Sequence, residues 1–402
     1  MSYPLAIFAP SIGARSETFI KRHMRDLLPG GTVVVAITNE EASRATWNVD
    51  SPVLTLDRFR YTGPRRQLAQ YLVKTLTMGA VDPETVAVRR FLRRHRVQVI
   101  LTEWLEQGLP WIELAQNLGL RVFGRAHGYD VTERRISDPK WQSEYLKYNQ
   151  VEGVITMSHA SRARLLRLGL NDAKVHVIPY GVDVPCTPLR RTEKDLVRCV
   201  AVGRMVGKKA PILMLDAFRR AAEANPRLRL DYVGDGLLFG AAKQFVQAMR
   251  LGDRVTLHGP QPNEVVQRLL READIFLQHS ITDPDTGDEE GLPVVILEAM
   301  AHSLPVVSTL HAGIPEAVVN DVNGYLVEEG DSAGMAERLI TLARSSELRH
   351  RMGEAGWQLA MERFSWERER MTLLQTLSLE NDGKLSGRRR SISCEAKYKG
   401  AA

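Results

Sequence analysis

Two glutamates and two basic residues carry the plainest chemistry. Glu290 and Glu298 stand eight positions apart within Gly287–Ala301, where Pro293 opens a helix-length stretch. The free N–H groups of Gly291, Leu292 and the first helical residues offer an anion site, reinforced by the helix dipole. Carboxylates beside such a site make sense as acceptors for sugar hydroxyls on either side of a diphosphate; taken alone, the pair is a weak pattern that reads first as ordinary helix-surface glutamates. Arg204 and Lys209, within Val202–Pro211 at the end of an apolar run, supply a guanidinium fork and a point charge for phosphate oxygens. Positive charge there would stabilise a departing diphosphate, and its bland counterpart is a solvated basic turn. His127, in Arg125–Val131, follows another apolar run and precedes a glycine, which fits a cleft residue or a structural histidine. Asp130 is a candidate N-cap for the next helix. In the first loop, Pro10–Phe19, Gly13 permits close backbone approach to a ligand, and Ser16 is a candidate N-cap.

These residues need a frame that brings them to one place. Leu5–Ala9, Thr32–Ile37, Val97–Leu101, Arg121–Arg125 and Gly153–Met157 read as strands without strict alternation, the pattern of strands buried on both faces. Glu17–Leu28, Pro83–His95 and Gln107–Leu118 between them have helical spacing. The alternation restarts at Val197–Val202 and runs through Leu228–Val233, Val255–His258, Ile275–Gln278 and Val306–Ser308, with helices at Pro211–Ala224, Leu237–Met249, Asn263–Glu272, Pro293–His302, Asp331–Ser345 and Leu348–Met361. The fold class is α/β: two Rossmann-like doubly wound domains facing a central cleft, where ligands bind at the strands' carboxyl ends. The expected boundaries are 1–183 for the first domain, 184–195 for a linker, 196–362 for the second domain, 363–380 for a helix returning to the first, and 381–402 for a basic, disordered tail.

Composition narrows the class. With 402 residues, 44% hydrophobic and 25% charged, the chain suits two globular domains and excludes fibrous and disordered classes. No run of apolar residues is long enough to cross a membrane, and the N-terminus reads as a first strand rather than a signal peptide. Cys186, Cys199 and Cys394 form no CxxC pair, which argues against a zinc site or disulfide scaffold and fits a cytoplasmic location. Residues 1–183 carry 25 basic and 18 acidic side chains, whereas 184–380 carry 23 and 28, so the halves present different surfaces. The segment 58–96 alone holds ten basic and two acidic residues, Arg89, Arg90, Arg93, Arg94 and Arg96 among them. Without a nucleic-acid-binding motif, this charge does not point to nucleic acid. Gly234, Gly236 and Gly240 imitate a dinucleotide fingerprint, but the spacing is GxGxxxG and no acid stands near position 258, so NAD is not expected.

Taken in order, the motifs resemble the retaining glycosyltransferases of family 4, with the GT-B fold, over roughly residues 4–375. They are His127–Asp130, Ser158–Ser161, Val175–Asp183, Val202–Lys209, Val233–Gly236, Glu290–Ala301, Leu304–Ser308, Gly313–Glu316 and Asn323–Val327. Ser16–Ile20 together with Asp283–Pro293 is similar to the branch that assembles bacterial exopolysaccharides such as colanic acid and amylovoran. The chain departs from many members in having Gly13 alone where they carry a glycine pair, and Ala210 where they often have glycine.

The resemblance implies roles. Arg204 and Lys209 would hold a nucleotide diphosphate, Glu298 the ribose hydroxyls, Glu290 the donor sugar's hydroxyls, and the Gly291–Leu292 backbone would cap oxygens. His127 would contact the donor sugar near the reacting carbon, with Asp130 supporting it, and Glu316 would shape the cleft floor. The implied reaction transfers a hexose with retention from a UDP- or GDP-sugar to a lipid-linked saccharide acceptor, needing neither cofactor nor metal; Asp283-Pro284-Asp285 only mimics a metal loop. The first domain would bind the acceptor, and the basic 58–96 segment would touch anionic lipid on the inner face of the plasma membrane. Competing readings are an inactive GT-B scaffold subunit and a sugar-nucleotide epimerase.

Overall fold

The structure, a computed structural model, describes residues 3–13, 17–39, 47, 49–57 and 82–380. Two sheets organise it. The first contains β1 (Leu5–Ile12), β2 (Thr32–Asn39), β3 (Val53–Thr55), β4 (Val99–Glu103), β5 (Arg121–Arg125), β6 (Gly153–Thr156) and β7 (Val175–Val177), in the order β3-β2-β1-β4-β5-β6-β7. The second contains β8 (Val197–Val202), β9 (Leu228–Val233), β10 (Val255–Gly259), β11 (Ile275–Leu277), β12 (Val306–Thr309) and β13 (Gly324–Val327), ordered β10-β9-β8-β11-β12-β13. Every pairing among these strands is parallel. Strand order reverses between β1 and β4 and again between β8 and β11. Loops leaving those neighbouring strands diverge, which opens a crevice at each carboxyl edge.

Burial explains the sequence pattern. All five residues of β4 are buried, because helices cover both sheet faces. The helix Pro83–His95 starts where the Asp82 carboxylate accepts from the amides of Glu84 (3.3 Å) and Thr85 (2.9 Å). It buries Val88 and Leu92, one turn apart, and ends at Arg96 in the left-handed region, φ 55°. Opposite them Arg89, Arg90, Arg93 and Arg94 are exposed. On the second sheet, the helix Pro211–Ala224 buries Met214, Leu215, Phe218, Ala221 and Ala222.

Several elements differ from the sequence expectation. The three- and four-residue strands β3, β7 and β13 and the helix His159–Leu168 carry too short or too basic a pattern to announce themselves. The expected helix 17–28 is a short α-helix, Thr18–Arg22, followed by a π-type turn, His23–Leu27, which draws His23 fully inside. The stretch 107–118 breaks around Pro110 into helices Leu105–Gly108 and Ile112–Asn117 with a tight turn between.

The chain passes between the sheets twice. Near the first passage, Val182 donates its amide to the Phe364 carbonyl (2.8 Å), and its own carbonyl accepts from the Trp366 amide (3.0 Å). The helix Trp366–Thr376 then packs Trp366 and Leu373 into the core of the first sheet with Leu5, Ile7, Leu27 and Leu101. No described helix is long and apolar enough to cross a membrane. Residues 58–81, Ser16 and the tail 381–402 lie outside the described residues.

Candidate active site

The loop after β8 ends in one tight turn, Gly207–Lys209, followed by Ala210 at φ 36°. An alanine in that region carries about 1–2 kcal/mol of strain, which is why a glycine suits the position. The turn presents two ammonium groups to one carboxylate. Lys209 Nζ lies 3.1 Å from Glu290 Oε2, and Lys208 Nζ lies 3.5 Å from Oε1. Lys208 also meets Asp288 and donates to the Glu289 carbonyl, each at 3.0 Å. Burial pushes the Glu290 carboxyl up, but Lys209 and Lys208 prevail and hold it at about 2. The same burial lowers the Lys209 ammonium, with Glu290 opposing it. The Glu290 amide donates to His311 Nε2 at 3.1 Å, so His311 carries its proton on Nδ1, 2.6 Å from Glu329. Arg204 stands exposed in the same loop.

Glu298 faces different partners. It lies one turn inside the helix Val294–Ala301, preceded by Pro293, and accepts from Gln267 Nε2 at 3.0 Å. Burial pushes its carboxyl up to about 7 against the pull of Gln267 and Arg22. A pocket of 340 Å³ opens beside it, lined by Glu298, Gln267 and Val294 on one side and Thr18, Phe19 and Arg22 on the other. Arg22 is held there by Asp183 and by donation to the Gly181 carbonyl (3.2 Å).

His127 is not placed as the resemblance implied. It is 2% exposed, at the carboxyl end of β5, with its ring enclosed by Trp104 and Phe19 at centroid distances of 4.5 and 4.9 Å. Nε2 donates to Glu103 Oε2 (3.0 Å) and Nδ1 accepts from the Tyr180 hydroxyl, so neither ring nitrogen is left for a sugar. Burial lowers its pKa despite Glu103, which fits a neutral ring. His23 is the converse: Nδ1 meets Glu103 Oε1 at 2.6 Å and Nε2 meets Glu369 Oε1 at 3.1 Å. Burial opposes its charge, yet the two carboxylates raise its pKa. Arg125 pairs with Glu369, and Glu369 also accepts from the Gly181 amide (2.7 Å). Two cations and two anions thus balance inside the first sheet's carboxyl edge. Asp130 is not a helix cap either. Its carboxylate accepts from the amides of His127 (3.0 Å) and Leu105 (3.3 Å), while Thr132 caps the following helix. Burial pushes Asp130 up to about 7.

The two carboxyl edges touch at a seam. A Cβ on Gly128 would come within 2.8 Å of the Gly291 amide nitrogen, so only backbone fits there. That contact covers Gly291 from the first-sheet side, its carbonyl accepts from Gly313 (2.9 Å), and Leu292 is buried in the second core. Glu316 reaches across to accept from the amides of His159 (2.8 Å) and Ala160 (2.9 Å), which caps a first-domain helix, and it lines a pocket with His159 and Leu292. Arg164 pairs with Glu289 across the same seam. Gly13 follows β1 at φ 109°. Asp283 accepts from the amides of Asp285 (3.0 Å) and Thr286 (3.1 Å), which turns its own loop. At Gly234 a Cβ would lie 2.0 Å from the Gly203 carbonyl oxygen, so this glycine serves the packing of two loops.

The structure therefore brings Lys209 and Glu290 together, sets Glu298 in a neighbouring pocket, and encloses His127. Lys208, Gln267, Arg22, His23 and Glu103 were not singled out by sequence. Lys208 and Glu103 had a signal: one adjoins Lys209, and the other ends a buried strand, the position from which side chains reach a crevice.

Two family models match: "Glycosyltransferase Family 4" over residues 61–184 and "Glycosyl transferases group 1" over 190–358. The chain is 32% identical to the putative colanic acid biosynthesis glycosyltransferase WcaL of Escherichia coli K12, covering 54% of each chain. It is 33% identical to the amylovoran biosynthesis glycosyltransferase AmsK of Erwinia amylovora, over 60% of this chain and 58% of that one. The matches thus span somewhat more than half the length of these relatives. Among solved structures, Anabaena HepE in complex with UDP superimposes with a TM-score of 0.75 at 18% identity, covering 94% of this chain and all of that one. The two models together match well over half of the chain, which belongs to the family 4 glycosyltransferases, and the structural match over nearly its whole length gives it the GT-B fold.

Proposed function

We propose that the protein transfers a hexose, with retention, from a UDP- or GDP-sugar to a lipid-linked saccharide during bacterial exopolysaccharide assembly. The observation that carries this reading is the Lys209–Glu290 pair beside the amino end of the helix bearing Glu298. Lys209, Lys208 and Arg204 place positive charge where a leaving diphosphate needs it, and the helix dipole adds to it. These groups would take the part of a divalent metal. Glu290, held ionised, accepts from a donor-sugar hydroxyl, and Glu298 accepts from the ribose. Departure of the diphosphate leaves an oxocarbenium-like carbon that the acceptor hydroxyl attacks from the same face, and the leaving phosphate takes its proton. His127 acts by position, fixing Trp104 and Phe19 at the cleft wall. The names of WcaL and AmsK support an exopolysaccharide pathway, and HepE structures holding UDP and UDP-glucose favour a uridine donor. Exposed Arg89, Arg90, Arg93 and Arg94 fit peripheral contact with anionic lipid.

A thermal-shift screen against UDP, GDP, ADP, their sugar conjugates and NAD, with and without EDTA, tests the reading. Stabilisation by one nucleotide sugar, unchanged by EDTA, is expected. Lys209→Ala or Glu298→Ala should abolish that shift and most transfer while the fold survives. Wild-type shifts in both variants would refute the site.

A further inference from the structure

The Ser16–Ile20 stretch contains a carboxylate that the donor site does not use. Glu17 occupies the N-cap position of the helix Thr18–Arg22, and its carbonyl accepts from the amides of Ile20 (3.1 Å) and Lys21 (3.3 Å). Its side chain makes no capping bond. Instead Oε2 is buried with no hydrogen-bond partner among the described residues. The Trp104 indole N–H is buried and unpartnered in the same way. Trp104 follows the last residue of β4 and takes φ 77°, a left-handed conformation that costs a non-glycine residue about 1–3 kcal/mol. Unpaired buried donors and acceptors are rare in native proteins, and each is expensive to leave unmade.

The two orphans share one neighbourhood. β1 and β4 are adjacent strands at the reversal of strand order, and Glu17 and Trp104 lie in the loops that leave them. Burial and then Glu103 push the Glu17 carboxyl up, and Arg204, from the opposite sheet, pulls it down. Trp104 and Phe19 both pack against the His127 ring. An acceptor, a donor and aromatic rings at a cleft wall match a sugar ring, which offers hydroxyls of both senses and an apolar face. A carboxylate there selects against a phosphate.

We propose that Glu17 and Trp104 form the subsite for the acceptor saccharide: Glu17 Oε2 accepts from one sugar hydroxyl and the Trp104 indole N–H donates to another. This rests on the transfer reading above, and it places the second substrate on the first sheet, across the crevice from Lys209, Glu290 and Glu298.

The test uses the full chain labelled with 5-fluorotryptophan, in which Trp104→Phe assigns one of the six tryptophan signals. The UDP-loaded protein is titrated with the methyl glycosides of glucose, galactose, mannose and glucuronic acid. The Trp104 fluorine signal should shift with at least one of them. Glu17→Gln should weaken that glycoside about tenfold or more, with UDP affinity and thermal unfolding unchanged. A Trp104 signal unmoved by every glycoside, or equal glycoside affinity in Glu17→Gln, overturns the subsite while UDP binding still stands. Loss of all nucleotide binding in the wild type would instead overturn the donor site, and this subsite with it.

Discussion

At the scale of single residues, the candidate site holds its carboxylates in opposite protonation regimes. Glu290 is kept near 2 by two lysines, despite its burial. Glu298 is pushed from 4.5 to about 7 by burial, and Asp130 from 3.8 to about 7 by the same cause. A raised carboxyl holds a proton in the folded state that the unfolded chain has already released. The stability it brings is complete below the unfolded value and disappears as pH rises through the folded one. Glu290 has the opposite sign: its contribution is present above 4.5 and disappears as pH falls toward 2. Glu298→Gln should therefore gain on wild type in melting temperature as pH rises from about 5 to about 7, and hold a constant advantage above that. Calorimetric scans of both proteins across that range check it, and a difference independent of pH would contradict the placement of Glu298. The residues at this scale were only partly legible. Lys209, Glu290 and Glu298 stood out because charge beside a helix start has a local pattern. Glu103, His23 and Glu369 meet from positions hundreds of residues apart in the extreme, and no local pattern encodes that meeting.

At the scale of elements, the helix Trp366–Thr376 joins two cores. Glu369 on this helix pairs with Arg125 and His23 and accepts from the Gly181 amide in the interior of the first sheet. Glu369→Ala would leave Arg125 buried without its paired carboxylate and His23 with Glu103 alone, at a cost of about 3–5 kcal/mol. Glu369→Ala with Arg125→Met should recover part of that loss, since the orphaned charge goes with its partner. Urea unfolding of the single and double variants measures both. The long strands and helices were readable because burial on both faces leaves continuous apolar runs: Arg121–Arg125, Val197–Val202, Leu228–Val233, Pro83–His95, Pro211–Ala224 and Asn263–Glu272 have the expected bounds. What escaped were edge strands of three or four residues, whose pairing comes from the neighbouring strand, and the π-type turn at His23–Leu27, which the buried ion cluster stabilises and propensity does not.

At the scale of the molecule, the surplus of basic residues in the first half has a definite location. Arg89, Arg90, Arg93 and Arg94 share the solvent side of one helix whose other side carries Val88 and Leu92. Replacing all four with glutamine should weaken binding to phosphatidylglycerol vesicles by about 1 kcal/mol per arginine, with unchanged unfolding. The wild-type protein should leave such vesicles as salt is raised. Sedimentation of vesicles over a salt series reads this, and equal pelleting of the variant would remove the helix from any role at lipid.

The paired passages of chain between the sheets set the mechanics of the whole. Val182 and Ser365 form a bridge of two parallel segments, so the sheets are hung on a laced strap, not on a single thread. Two paired segments resist twisting and sliding more than one thread would, so bending about the strap is the least hindered motion expected of it. Gly181, Val182 and Asp183 also line the pocket containing Glu298, so that pocket sits at the spine of the book. The Gly128–Gly291 seam is instead a contact between the pages, which any opening must part.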